Sequence, residues 1–340
     1  MIPRAALLGL LLAALPGAAA GQAGAPRDAQ VRARAERSVA GLRPEVIVVG
    51  GLYSGWFSAV AGVACDAATG EIHVADPAAN AIEIFDEHGV PLFAFSDDQH
   101  LSEPTRLVVD ADGRLLVLDR DHTRIKVFSY RGEYLGHLPL PGYEPETRPS
   151  FTALALDRNG DLYVGESRSG QVLAFDRSLR PRLKLGTFGD GPGQLNGIVG
   201  IALDERQVYV ASQEGLAVHV FTRQGRFVRA WGFHDAGLHN VSLPAGIAVD
   251  AKGRVVLLDT LRQELKYFDA EGRLIDLFGG LGAMPGAVAY PTDLTMDRQG
   301  RLCVADGGNR RVQVLSPVEA ERAPEAEEPD APSAEAPDAR

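Results

Sequence analysis

Short apolar runs of four to seven residues recur along the chain between tight polar turns, and no amphipathic stretch of helical length interrupts them. Runs of this length, rich in Val, Ile, Leu and aromatics and bounded by Gly, Asp and Asn, predict β-strands. Six of the runs end in Asp: AGVACD at Asp66, RLVVD at Asp110, ALALD at Asp157, GIALD at Asp204, GIAVD at Asp250 and DLTMD at Asp297. The intervals between these Asp residues are 44, 47, 47, 46 and 47, which marks an internal repeat. Four units continue as Asp-x-x-Gly, closing at Gly113, Gly160, Gly253 and Gly300. The Asp carboxylate suits a turn's main-chain N–H, and Gly supplies the positive φ at its end. A second run follows each turn (EIHVAD, RLLVLD, DLYVGE, QVYVAS, RVVLLD, RLCVAD), and a third carries Phe85, Phe128, Phe175, Phe221, Phe268 or Leu315. A fourth is exemplified by GRFVRAWG, ending at Gly232, and GRLIDLFG, ending at Gly279.

Four antiparallel strands in roughly 46 residues make one propeller blade. The expected fold class is all-β, a six-bladed β-propeller of four-stranded antiparallel blades. The sixth unit stops after its third strand, at RRVQVLSP. Its missing fourth strand has a donor in Glu45–Gly51, which carries the fourth-strand pattern just before unit one. Pairing that segment with Gln313–Leu315 closes the ring and removes an exposed edge. The propeller is expected to occupy residues 44–317.

The ends read differently. Arg4, the uncharged stretch Ala5–Leu15 and the small residues Pro16–Ala20 have the pattern of a signal peptide over residues 1–20, with cleavage after Ala20. Residues 21–43 are a polar basic linker with five Arg, and residues 318–340 an acidic Pro/Ala-rich tail expected to be disordered. The mature chain is expected to be exported, periplasmic or extracellular, without a transmembrane segment, and monomeric. A net charge of −11 argues against nucleic acid as a partner, which calls for a basic footprint.

Once the units are aligned, the sequence resembles the NHL-repeat family of β-propellers over roughly residues 45–317. The resemblance is carried by Phe188–Asp204 (FGDGPGQLNGIVGIALD), Leu243–Asp250 (LPAGIAVD) and Arg301–Leu315 (RLCVADGGNRRVQVL), with the Asp306, Asn309 and Arg311 spacing of the family motif. It implies a secreted propeller whose motif residues support turns and loops. Relatives implied by it include lyases that hold zinc on His residues of the central cavity, and related propellers include metal-dependent gluconolactonases and paraoxonases. The openings of the six first strands here contain no His.

Alternating strand direction places second-to-third loops and blade-to-blade linkers on one face, where lengths vary, and the short turns on the other. Variable loops on a rigid scaffold concentrate binding. The third column at the channel on that long-loop face reads Gly62, Arg106, Ala153, Gly200, Gly246 and Asp293. Arg106 and Asp293 stand out as candidate ligand contacts at the channel mouth, with Asp119 and Arg124 beside them; a channel-filling ion pair is the alternative. His234, Asp235 and His239 offer two imidazoles and a carboxylate to a divalent metal, zinc or calcium. His73 aligns with Leu116, Tyr163, Tyr209 and Val256 and is expected to pack between blades. Cys65 and Cys303 fall on neighbouring blades of the closed ring, either bridged or as two buried thiols. The leading functional expectation is a non-enzymatic scaffold or ligand sensor for a protein or peptide. A metal-assisted lyase or hydrolase at the channel is the second.

Overall fold

The computed structural model describes residues 39–53, 55–144, 147–234, 237 and 240–319. Six four-stranded antiparallel sheets follow one another around a central channel. In blade one the strands are Gly62–Cys65, Ile72–Asp76, Ala81–Phe85 and Pro91–Ser96, hydrogen-bonded in sequence order. Blades two to five repeat the order, their first strands being Arg106–Val109, Phe151–Leu156, Ile198–Leu203 and Pro244–Val249.

Burial explains why the repeat needs this period. Second and third strands are buried on both faces, as in Ile72–Asp76 and Ala81–Phe85, because each blade packs against a neighbour on either side. The apolar clusters lie between blades rather than within them. One joins Ala64, Ala75 and Ile82 of blade one to Leu107, Val117 and Phe128 of blade two. Fourth strands, on the rim, alternate between exposed and half-buried residues, as in Tyr134–His137.

Blade six takes its first three strands, Asp293–Met296, Leu302–Asp306 and Arg311–Glu319, from one end of the chain. Its fourth is Val39–Val48 from the other, as the repeat pattern implies. Ile47 pairs with Gln313 and Pro44 with Leu315. The ladder runs on to Val39 opposite Glu319, past the positions 45 and 317 read from sequence. Arg254 of blade five holds Glu319 through both Nη atoms, at 3.0 and 2.9 Å, and Asp276 accepts the Val39 N–H at 3.0 Å, so the seam is tied sideways as well.

The four Asp-x-x-Gly turns form as the sequence demands. Asp110 Oδ1 accepts the N–H groups of Asp112 and Arg114 at 2.9 and 3.0 Å, and Asp157, Asp250 and Asp297 do the same in their blades. Gly113, Gly160, Gly253 and Gly300 take φ between 75° and 80°, where a side chain would be strained. Among the described residues no helix is long and apolar enough to cross a membrane.

Candidate functional site

The first strands converge on the channel, and their third-column residues set its width at the long-loop end. Gly62 is required there, since a Cβ would lie 2.5 Å from the Thr105 carbonyl oxygen. Gly246 meets Leu294 N at 2.8 Å in the same way. Arg106 spans the gap that these small residues leave. Its Nη1 donates to the carbonyls of Ala61 and Thr105 at 2.9 and 3.0 Å, and its Nη2 to those of Ala245 and Thr292 at 3.3 and 3.0 Å. One guanidinium thereby ties blade two to blades one, five and six. Asp293 Oδ1 lies 3.6 Å from Arg106 Nε, and its Oδ2 accepts the Val63 N–H at 3.1 Å. Burial pushes the Asp293 carboxyl above its usual pKa, while the Arg106 charge pulls it back.

Beyond this pair the channel widens into a cavity of about 650 Å³. It extends from Arg106 and Asp293 toward the turn residues Asp66, Asp110 and Asn159, with walls of Leu154, Ile201, Ile247 and Met296. The open space is therefore on the turn side of the plug, and the Nη donors of Arg106 are committed to main-chain carbonyls.

Asp119 is fully buried, accepts the Ser102 N–H at 3.0 Å and is paired with Lys126. The same arrangement recurs in every blade. Asp76 takes the N–H groups of Ser58 and Ala59, Glu166 that of Ser150, Ser212 that of Asn196, Asp259 those of Ser242 and Leu243, and Asp306 that of Ala289. The residue ending each second strand thus anchors the linker entering its blade, and Ser212 performs the task without a charge. Asp119 and Arg106 are placed as structural ties. Arg124 is half-buried at the position of Arg311, whose guanidinium binds Asp306 at 2.7 Å and the carbonyls of Ala283, Met284 and Ala287.

His234 is half-buried with both ring nitrogens unpaired, whereas Asp235 and His239 lie outside the described residues. His100 is bound to Asp97 at 2.8 Å and stacks on Tyr134, with ring centroids 4.0 Å apart. Cys65 and Cys303 meet across the seam between blades one and six as free thiols, their sulfurs 2.8 Å apart.

Sequence reasoning missed one assembly. Asp66, Glu71 and His73 bring their ligand atoms within 4.8 Å of one another at the first turn of blade one. Its signal was the departure of His73 from the apolar or Tyr residues of the other blades. It also missed an apolar display on the long-loop face. Leu52, Tyr53 and Trp56 on the linker into blade one, Leu261 on the second-to-third loop of blade five, and Leu281, Met284 and Tyr290 on the linker into blade six are all exposed.

Comparison with known proteins agrees with this architecture. The NHL repeat model matches residues 101–128 and 288–315. The chain is similar to the Protein brain tumor of Drosophila melanogaster, 27% identical over 136 residues, covering 39% of this chain and 12% of that protein. It is also similar to the human E3 ubiquitin-protein ligase NHLRC1, 35% identical over 73 residues, covering 21% of this chain and 18% of that protein. The chain therefore spans less than a fifth of the length of either relative. Among solved structures it resembles a gluconolactonase from Xanthomonas campestris, with a TM-score of 0.60, 17% identity, and 83% of this chain and 91% of that one covered. A virginiamycin B lyase from Staphylococcus aureus follows at 0.56, 14% identity, with 81% and 88% covered. At these identities the likeness speaks for the fold. The chain carries NHL repeats at residues 101–128 and 288–315 and folds as a six-bladed β-propeller.

Proposed function

We propose that the protein is an exported scaffold or sensor that binds a protein or peptide on its long-loop face. The observation that carries this reading is the set of exposed apolar side chains on the linkers into blades six and one. Trp56, Leu281 and Met284 are each more than 70% exposed. Apolar groups gathered on one face of a soluble fold mark a surface meant to be covered. The plugged channel supports the same reading, because the Arg106 guanidinium is tied to main-chain carbonyls of four blades across the channel mouth. Export rests on the N-terminal sequence pattern. The test is affinity capture from native envelope with wild-type protein, a Trp56→Asp/Met284→Asp variant, and an Arg177→Glu variant altered at the turn-side cavity. A specific partner retained by wild type and Arg177→Glu but lost by the double variant supports the reading. Equal capture by all three overturns it.

A second reading, metal-assisted lyase or hydrolase chemistry at the channel, is favoured by the fold shared with the gluconolactonase and the lyase. Stoichiometric zinc or calcium that disappears with His234→Ala/His239→Ala would support it.

A further inference from the structure

His73, Leu116, Tyr163, Tyr209 and Val256 occupy one position on successive second strands, and their fates differ. Leu116 and Val256 are simply packed. The Tyr209 hydroxyl reaches back to the Asp that ends the first strand, donating to Asp204 Oδ2 at 2.8 Å. Blade one has the corresponding Asp66 but a shorter ring, and that ring makes no such bond. His73 is fully buried, and neither Nδ1 nor Nε2 has a hydrogen-bond partner. Glu71 Oε2 lies 3.8 Å from Nε2, beyond hydrogen-bond reach. Leaving both nitrogens of a buried imidazole unsatisfied is costly, since one must be a donor and the other a lone pair.

We propose that Asp66, Glu71 and His73 form a binding site for a divalent transition cation of the zinc class. The hairpin fixes the geometry, because the Asp66 N–H donates to the Glu71 carbonyl at 2.9 Å and Ala64 pairs with His73 across the ladder. Ligand atoms around tetrahedral zinc stand about 3.3 Å apart, so the three side chains need only draw in from separations that are all within 4.8 Å. A neutral imidazole offers one ring-nitrogen lone pair to a metal ion. Two carboxylates balance the cation's charge, and the half-buried Asp66 and Glu71 leave room for a water as fourth ligand. The imidazole selects against calcium, which takes six to eight oxygens. The site sits at the turn of blade one, on the opposite face from the proposed partner surface, and does not depend on that reading.

The experiment is equilibrium dialysis of the full chain against zinc, with metal counted per chain and melting followed in parallel. His73→Leu copies blade two, so it keeps the fold while removing the ligand, and Glu71→Gln preserves shape. The expected result is one zinc per wild-type chain and a zinc-dependent rise in Tm. Each variant should bind zinc at least about tenfold more weakly. His234→Ala/His239→Ala should keep the stoichiometry at one. No zinc uptake at millimolar concentration overturns the proposal. So does uptake that survives both single variants, or calcium displacing zinc at equal concentration.

Discussion

On the turn face, Asp110, Asp157, Asp250 and Asp297 accept N–H groups two and four residues ahead, a tie that begins and ends inside one hairpin. On the long-loop face, Asp76, Asp119, Glu166, Ser212, Asp259 and Asp306 reach back 16 to 18 positions to the linker entering their own blade. The chemistry is nearly the same, yet the consequences differ. A local tie closes a turn whether or not the rest of the ring exists. A distant one fixes a linker that crosses between blades, and it does so from beneath, where water is excluded. The exposed Trp56, Leu281 and Met284 therefore ride on segments already held in place. A surface ordered in advance loses less conformational freedom when a partner covers it.

Removing the ring itself should erase the difference between the faces. Deletion through Val48 strips the ladder from Arg311–Glu319 and bares Val312 and Val314. Cooperative melting should be lost in that variant and kept in one beginning at Val39, as read by calorimetry. Equal melting temperatures would refute closure by this strand.

Strengthening one seam is the next largest effect. Thiol–disulfide exchange with an oxidised dithiol should join Cys65 to Cys303, with both thiol protons and the electron pair passing to the reagent as two new thiols. The loop is long, so stabilisation of up to about 5 kcal/mol is expected in the chain-entropy account. Thiol counting under denaturing conditions, falling from two per chain to none, is the check.

Asp306→Ala probes the long-loop face and should cost about 3–5 kcal/mol, because it leaves the buried Arg311 guanidinium without its carboxylate. Asp110→Ala is its counterpart on the turn face. Its carboxylate serves a solvent-exposed turn, so the cost should be about 1 kcal/mol. Chemical denaturation of the two variants side by side measures the contrast, and equal losses would abolish it. Smallest of all, Trp56→Asp/Met284→Asp should shift stability by less than about 0.5 kcal/mol. A larger fall would mean that those side chains serve the fold rather than a partner.

The fold was legible because propeller geometry writes itself into spacing. Asp, Gly and the third-strand aromatic recur at one period, and Glu45–Gly51 matched the strand that unit six lacked. The site was less so. Arg106 stood out as the one cation in a column of small residues, but its reach to carbonyls of three other blades depends on how closely Gly62 and Gly246 let the first strands approach. Asp119 was conspicuous for charge, and only the three-dimensional path of the linker makes it a support. The Asp66–Glu71–His73 group was hidden because His73 reads as one more buried position until its nitrogens are seen unpaired. The apolar display was hidden because an isolated Trp or Met on a linker carries no period.

The exchanged strand also sets the order of events in the life of the chain. Val48 is made, and on any N-terminus-first passage through a membrane is delivered, 264 positions before Val312, its partner in the ladder. Until Arg311–Glu319 arrives, the early strand has nowhere to pair, and five blades can assemble while it waits. Contacts of such separation in sequence form late and slowly. Closure is thus a proofreading step: only a chain synthesised to its last strand can shut the circle, and a truncated one is left with an open edge for proteases to find.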